Sequence, residues 1–233
     1  MQAVFDNLTY LLWGAFPDGP LAGLALTLVI AVAAILLSAL LGLAGGVLLA
    51  VLRGVPAALL VAVIGFFRGI PVLMLIFWTY FLMPAVLHMD VPGTATVVCA
   101  LACIGGAYLS HSVHAGVQAV GAAQLQAGLS LGLTRWQSLR HVVLPQAFHI
   151  MAPSFVNQWV SLIKDTSLAY IVGVPELSFL ANQVNGRLLI YPLQIYLLVG
   201  LIYLLVCVVF QAAFVGLLRR LLGPWSQAQP VAA

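Results

Sequence analysis

The sequence predicts an all-α membrane protein with about five transmembrane helices. Its 233 residues are 64% hydrophobic and only 6% charged, whereas roughly a quarter of the residues in a soluble domain are charged. Long apolar runs alternate with Pro, Gly and charged residues, and about 20 apolar residues suffice for a helix to cross the hydrocarbon core. The predicted spans are 21–52, about 57–87, 94–120, 147–170 and 190–218.

The basic residues predict the orientation of these spans, because cytoplasmic loops carry an excess of Lys and Arg. The arginines on the side that holds the C-terminus are Arg53, Arg135, Arg140, Arg219 and Arg220. The C-terminus is therefore expected in the cytoplasm and the N-terminus outside, with Glu176 near the outer interface. Residues 1–20 form an outer, periplasmic segment, 21–222 the membrane domain and 223–233 a flexible tail on this prediction.

A polar stretch at 124–148 interrupts the apolar spans on the cytoplasmic side. Its apolar residues recur at helical spacing, namely Leu125, Leu129, Leu133, Trp136, Leu139 and Val143. Gly132 suits the left-handed turn that closes one helix, and Thr134 with Gln137 has the spacing of a capping box that starts another. Pro145 ends that second helix or opens the next one. The periodicity alone does not distinguish a helix lying on lipid from a helix lying in a protein groove.

Residue identities in this stretch resemble the EAA loop of binding-protein-dependent ABC importer permeases. Gln126, Ala127 and Gly128 stand at the Glu-Ala-Ala positions, Gly132 stands at the motif's Gly, and Val143-Leu144-Pro145 stand at its end. Two further segments resemble the polar amino acid branch of that family. They are FFRGIPVLMLIFWTYF at 66–81 and SLIKDTSLAYIVGVPELS at 161–178.

The resemblance implies a MetI-like permease fold in which the loop 121–145 carries a cytoplasmic coupling helix. The residues that it assigns to ATPase coupling are Gln124, Gln126, Ala127, Gly128, Gly132, Leu144 and Pro145. Gln126 departs from the motif's Glu, and His111 and His114 stand where the family usually has Glu and Arg. A charge-assisted contact at position 126 is thereby replaced by a neutral and weaker one.

The resemblance also implies a set of partners. These are a cytoplasmic ATPase dimer that binds ATP and Mg²⁺, a second permease subunit that is identical or related, a periplasmic or tethered amino acid binding protein, and the lipid bilayer. The chain itself is not expected to be an enzyme, because its one lysine, Lys164, follows Ile163 and cannot belong to a Walker A loop. No cofactor, metal or nucleic acid is expected to bind this chain.

Charged residues within the spans are candidates for a substrate pathway, because charges are costly in lipid. The candidates are the charged residues Arg68, Lys164 and Asp165 and the polar residues that follow them, Thr166 and Ser167. Two structural alternatives stay open. In the first, Arg68 reaches the cytoplasmic interface or pairs with backbone carbonyls. In the second, Lys164 forms an ion pair with Asp165 that fixes a helix end.

The predicted function is that of the membrane-spanning subunit of an ATP-driven importer for polar amino acids in the bacterial inner membrane. A stand-alone secondary transporter or channel for small polar solutes is the alternative, although neither an inverted repeat nor an acidic cluster is evident in the sequence. A membrane redox enzyme built on His111 and His114 is a third hypothesis. It is disfavoured because no second histidine pair lies in another span.

Overall fold

The computed structural model describes residues 7–88, 90–188 and 192–222. The helices are α1 Leu8–Trp13, α2 Gly23–Val51, α3 Val55–Gly69, α4 Val72–Leu87, α5 Gly93–Val120, α6 Ala122–Ser130, α7 Arg135–Ser138, α8 Leu144–Asp165, α9 Leu177–Leu188 and α10 Pro192–Leu222. A π-helical turn, Leu139–Val143, joins α7 to α8, and a 3-10 helix, Thr166–Val172, follows α8. The predicted tail at 223–233 and the first six residues of the predicted periplasmic segment lie outside the described residues.

Three helices in the described part of the chain are long and apolar enough to cross a membrane, namely α2, α5 and α10. They confirm the predicted spans at 21–52, 94–120 and 190–218. Helices α3 and α4 are long and apolar enough to cross a membrane only when taken together, and they are bent by 105° relative to each other. The predicted span at 57–87 is therefore a broken one.

Proline chemistry explains the break between α3 and α4. Pro71 stands at the N-cap of α4, and Ile70 before it has extended backbone angles, φ −82° and ψ 137°. A proline disfavours helical geometry at the residue before it, and its ring excludes it from a helix interior. The break between the two helices therefore falls at Pro71, and the change of direction is much sharper than a kink.

The predicted span at 147–170 corresponds to α8, which ends earlier, at Asp165. Its 22 residues are long enough to cross the hydrocarbon, but its composition is less apolar than that of the three spans above. One face of α8 is buried in the bundle, with Ala147, Met151, Phe155, Trp159 and Leu162 among its buried residues. Only the opposite face is free to be polar, which lowers the mean hydropathy of the helix.

The core of the bundle is the contact between α2 and α5, which run parallel. Glycines make the approach close, since a Cβ atom on Gly46 would lie 2.7 Å from the carbonyl oxygen of Ser110 and also against the side chain of Val113. Gly42 meets Leu109 one helical turn earlier. The spacing of Gly42 and Gly46 predicts close helix packing, and the structure confirms it within one subunit.

A second apolar cluster closes the outer end of the bundle. It contains Leu11 of α1, residues of α9 and the start of α10, including Leu177, Leu180, Val184 and Ile195. The backbone N–H of Gly23 donates to the carbonyl oxygen of Pro175 at 2.9 Å. This bond ties the beginning of α2 to the beginning of α9.

Candidate functional site

The first helix of the loop 121–145 ends in a hydrogen-bonded turn at Gly132. Gly132 has φ +82°. Its N–H donates to Leu129 O at 3.0 Å, and the N–H of Leu133 donates to Gly128 O at 3.2 Å. This pair of bonds is the Schellman pattern, which satisfies the last carbonyls of a helix. The predicted left-handed turn at Gly132 is confirmed.

The second helix of the loop begins with a reciprocal cap. The N–H of Gln137 donates to Thr134 Oγ1 at 3.3 Å, and the N–H of Thr134 donates to Gln137 Oε1 at 2.8 Å. The capping box predicted at these residues is confirmed, and it satisfies two backbone donors that a helix start leaves free. Pro145 lies in the first turn of α8, so it opens the next helix.

Gly128 brings the two helices of the loop into contact. A Cβ atom on Gly128 would lie 2.5 Å from Ser138 Oγ and 2.9 Å from Ser138 Cβ. Gly128 and Ser138 are both buried. The glycine at the second Ala position of the motif is therefore required by this packing, which gives the loop one compact shape.

The outer surface of the compact loop carries large apolar side chains. Leu131 is 81% exposed and Trp136 is 54% exposed. Three residues assigned to coupling, Gln124, Gln126 and Ala127, are also exposed on α6. Exposed apolar residues between ordered polar ones are typical of a surface that binds another protein.

An open groove of about 530 Å³ runs beside the loop. It brings together two of the predicted coupling residues, Gln124 and Pro145. The groove is lined by Ala119, Val120, Gln124, Pro145, Gln146, His149 and Ile150. Leu144, by contrast, is half-buried next to the π-helical turn and does not line it.

The groove continues into a polar face of α8 that the sequence reasoning did not identify. Four of its exposed polar residues, Gln146, His149, Asn157 and Lys164, are spaced so that they share one side of the helix. Gln146 Nε2 donates to Val142 O at 2.8 Å, and His149 Nδ1 lies 2.9 Å from Pro145 O. Exposed polar side chains further along the helix, Asn157 and Lys164, are tolerated at membrane depth where they meet water or another protein chain. The signal in the sequence is the helical period of the apolar residues from 147 to 162, which leaves the polar ones on the other face.

Arg68 contacts an aromatic ring on α5. Its guanidinium carbon lies 5.3 Å from the centroid of the Tyr108 ring, within the range of a cation–π interaction. The Tyr108 hydroxyl donates to the carbonyl oxygen of Arg68 at 3.3 Å. Tyr108 thus holds both the charge of Arg68 and a backbone carbonyl at the end of α3, close to the bend.

The segment from Lys164 to Ser167 spans the junction between α8 and the 3-10 helix. Lys164 is exposed, Asp165 and Ser167 are half-buried, and Thr166 is buried with its hydroxyl donating to Ile163 O at 2.7 Å. Thr166 therefore has a structural role at the helix end. Arg68 has its neighbours on α5, so the structure does not bring all five predicted pathway residues into one cluster.

Glu176, which the predicted topology places near the outer interface, is a buried carboxylate directly before α9. It is 0% exposed. Its Oε2 accepts from the N–H of Ser178 at 2.9 Å and from the Tyr203 hydroxyl at 2.8 Å, and its Oε1 accepts from the N–H of Phe179 at 2.9 Å. Burial raises the pKa of Glu176 to about 7. The available signal was an acidic residue directly before the amphipathic segment 177–188, which is the position of a helix cap.

Comparison with known proteins assigns the class of this helical membrane protein. The family described as "Binding-protein-dependent transport system inner membrane component" matches residues 42–223. The chain belongs to this family. It is a permease subunit of an ABC importer, and ATP hydrolysis takes place in separate subunits.

Curated relatives and solved structures agree with this assignment. The chain is 34% identical to the probable glutamine ABC transporter permease GlnP of Bacillus subtilis over 197 residues, which is 82% of this chain and 89% of the relative. It is 34% identical to the glutamate/aspartate import permease GltK of Escherichia coli O6:H1 over 179 residues, which is 72% of this chain and 78% of the relative.

Among solved structures, an amino acid ABC transporter crystallised with histidines matches with a TM-score of 0.74 and 26% identity, covering 85% of this chain and 92% of that one. The MetNI methionine ABC transporter in an inward-facing conformation matches with a TM-score of 0.73 and 19% identity, covering 84% and 92%, which supports the fold alone. The predicted MetI-like helical fold is thereby confirmed.

Proposed function

We propose that this permease carries polar amino acids across a bacterial inner membrane and is coupled to a cytoplasmic ATPase dimer through the loop 121–145. The observation that supports the coupling role is the close packing of α6 against α7 at Gly128 and Ser138, with Leu131 exposed on the outer surface. Closely packed helices transmit a displacement, whereas a loop without such packing would absorb it.

The substrate class rests on the relatives. Those described above are named for glutamine and for glutamate or aspartate, and a permease for L-cystine from Bacillus subtilis is 36% identical over 140 residues, which is 60% of this chain. A periplasmic or tethered binding protein delivers the amino acid on this proposal. ATP and Mg²⁺ bind only to the ATPase.

Two permease subunits, identical or related, enclose the pathway in this proposal. The polar face of α8 supports it, because the exposed side chains of Asn157 and Lys164 are tolerated at membrane depth where they meet water or another chain. Closure of the ATPase dimer on ATP would draw the two coupling loops together and open the pathway outward. Hydrolysis would return it to the inward-facing state.

Reconstitution tests the proposal. The full chain is expressed with its partner ATPase and a binding protein, and ATP hydrolysis and amino acid uptake are measured in liposomes. Substrate-loaded binding protein should stimulate both. Uptake that needs neither ATP nor a binding protein would instead support a secondary transporter, the alternative that the comparisons do not favour.

A pair of variants at one position tests the coupling surface. Leu131→Asp places a charge on an apolar side chain that is 81% exposed, so it should remove the ATPase from the purified complex while leaving the bundle folded. Leu131→Met keeps an apolar side chain of similar volume and should retain the ATPase. Equal retention of the ATPase by both variants would contradict the proposed surface.

A further inference from the structure

A cavity of about 230 Å³ lies between the coupling loop and the membrane bundle. It is enclosed by the ends of α2 and α5, by α6 and α7, and by the π-helical turn. Its lining is mostly apolar, with Val51, Val117, Leu125, Leu139 and Val143 among the lining residues. Leu139 and Val143 are buried, and Val51 is 42% exposed, so the cavity reaches from the bundle to its surface.

One charged side chain, Arg135, lines this cavity together with the polar Gln118. Arg53 follows the lining residue Val51 by two positions. The sequence contains no Asp or Glu between 91 and 164 or between 19 and 89. The positive charge beside the cavity is therefore not matched by any acidic residue of the segments that enclose it.

The place of the cavity determines which kind of molecule reaches it. Helices α2 and α5 both end here, at Val51 and Val120, where two membrane spans leave the bilayer. A molecule at this level is bounded by acyl chains on one side and by lipid headgroups on the other. An apolar cavity with a basic residue on its lining matches a molecule that has an acyl chain and an anionic head.

We propose that an anionic phospholipid binds at this cavity, with its phosphate beside Arg135 and the first carbons of one acyl chain against Leu125, Leu139 and Val143. A cavity of about 230 Å³ admits only this part of the lipid, which fills the space between the spans and the helix pair α6 and α7, and the rest of the lipid lies in the bilayer. Bound in this way, it supports the coupling loop from the membrane side, opposite the exposed Leu131. The proposal does not depend on the proposed function, because lipid binding is measured without the ATPase or the substrate.

The test uses the full chain in two kinds of nanodisc. One kind contains phosphatidylcholine alone, and the other contains about 30% phosphatidylglycerol, which gives it an anionic surface. Native mass spectrometry then counts the lipids that stay bound to the protein after it is released from the nanodisc. The wild type is expected to retain phosphatidylglycerol about five-fold more than phosphatidylcholine, as one basic side chain near an anionic lipid surface allows. Equal retention of the two lipids would overturn the proposal.

Matched variants separate this site from general attraction to a basic surface. Arg135→Gln should abolish the preference for phosphatidylglycerol, whereas Arg219→Gln, which removes an arginine that does not line the cavity, should preserve it. Val117→Phe should fill the cavity and lower retention of the lipid with every arginine in place. Equal losses in the two arginine variants, or displacement of the lipid by inorganic phosphate alone, would count against a site that binds the whole lipid.

Discussion

The backbone of Gly128 lies against the side chain of Ser138, so that a Cβ atom on Gly128 would come within 2.5 Å of Ser138 Oγ. Both residues are buried, and the contact holds α6 against α7. Gly128→Ala should therefore force the two helices apart, at a cost of about 1–3 kcal/mol typical of overpacking. Retention of the ATPase by the purified permease should fall accordingly.

A second substitution tests whether the Ser138 side chain is the obstacle. Ser138→Gly in the Gly128→Ala background removes the atoms that the new methyl group meets, so it should restore much of the retained ATPase. Ala123→Gly, on the exposed side of α6 and outside the residues assigned to coupling, creates no clash and serves as the comparison. Wild-type retention by Gly128→Ala alone would show that the helix contact is unimportant.

Substitution of Gly132 should act in a different way, because this position requires a left-handed backbone conformation. No atom lies within 4 Å of a Cβ atom on Gly132, but its φ is +82°. Gly132→Ala should destabilise the loop by about 1–2 kcal/mol, and Gly132→Asn should cost less because Asn tolerates the left-handed region. Hydrogen exchange at the Gly132 and Leu133 amides measures the loss, and equal protection in both variants would contradict it.

Local chemistry explains why the turn at Gly132 and the cap at Thr134 could be predicted from the sequence. Each is built from residues within five positions of one another, so the sequence contains the whole arrangement. Glu176 is different. Its partner Tyr203 is 27 residues away, and neither residue's burial follows from its neighbours in the chain.

The polar face of α8 and the break at Pro71 show two further limits. Average hydropathy treats α8 as a weak span, whereas the faces of the helix differ and only the fold decides what each face meets. Pro71 predicts that α3 ends, but the angle of 105° depends on how α3 and α4 pack against α5. Long-range packing therefore fixed what the local pattern left open.

Gln126 stands where the motif has an acid, and it is exposed on α6. Its substitution Gln126→Glu should strengthen binding of the ATPase about five-fold, because a charge-assisted hydrogen bond is roughly twice as strong as a neutral one. The gain should shrink as salt is raised. Titration of the ATPase against the detergent-solubilised permease checks both effects.

The comparison for this variant is Gln137→Glu, which adds the same charge at the capping box, where the side chain accepts a bond from within the loop. It should leave the affinity for the ATPase close to that of the wild type. An unchanged affinity for Gln126→Glu at low salt would show that the motif's charge has no partner in this transporter.

Glu176 predicts that the outer end of the bundle is more stable at acidic pH. Burial raises its pKa from 4.5 in the unfolded chain to about 7, outweighing the hydrogen bonds from Ser178, Phe179 and Tyr203 that favour the carboxylate. The folded state therefore binds the proton more tightly, and the free energy of unfolding should fall as pH rises from about 4.5 to about 7. The change has an upper bound of about 3 kcal/mol.

Thermal unfolding between pH 5 and 8 measures this dependence in detergent. Glu176→Gln keeps one acceptor oxygen and cannot ionise, so its unfolding temperature should vary less across the same range. Tyr203→Phe removes the hydroxyl that donates to Oε2 and should lower stability without removing the dependence on pH. A wild type that becomes more stable as pH rises would contradict the assigned direction.

Asn157 lies midway along the polar face of α8, exposed and between His149 and Lys164. If this face borders the substrate pathway, Asn157→Leu should slow amino acid uptake several-fold, because it replaces a polar wall by an apolar one at membrane depth. Binding of the ATPase should be unaffected, since the loop 121–145 is unchanged. Val208→Leu alters an exposed apolar position of α10 and should leave uptake as in the wild type.

Two charged positions complete this test. Arg68→Ala removes the guanidinium that lies over Tyr108, and Asp165→Asn removes the half-buried charge at the end of α8. If these groups border the pathway, both variants should change the substrate affinity of uptake, its maximal rate or both. Arg68→Lys keeps a cation at the same place, so it should lose less uptake activity than Arg68→Ala. The pathway would not border α8 if uptake were unchanged in all three variants, Asn157→Leu, Arg68→Ala and Asp165→Asn. The polar face would then have to be covered by the second permease subunit.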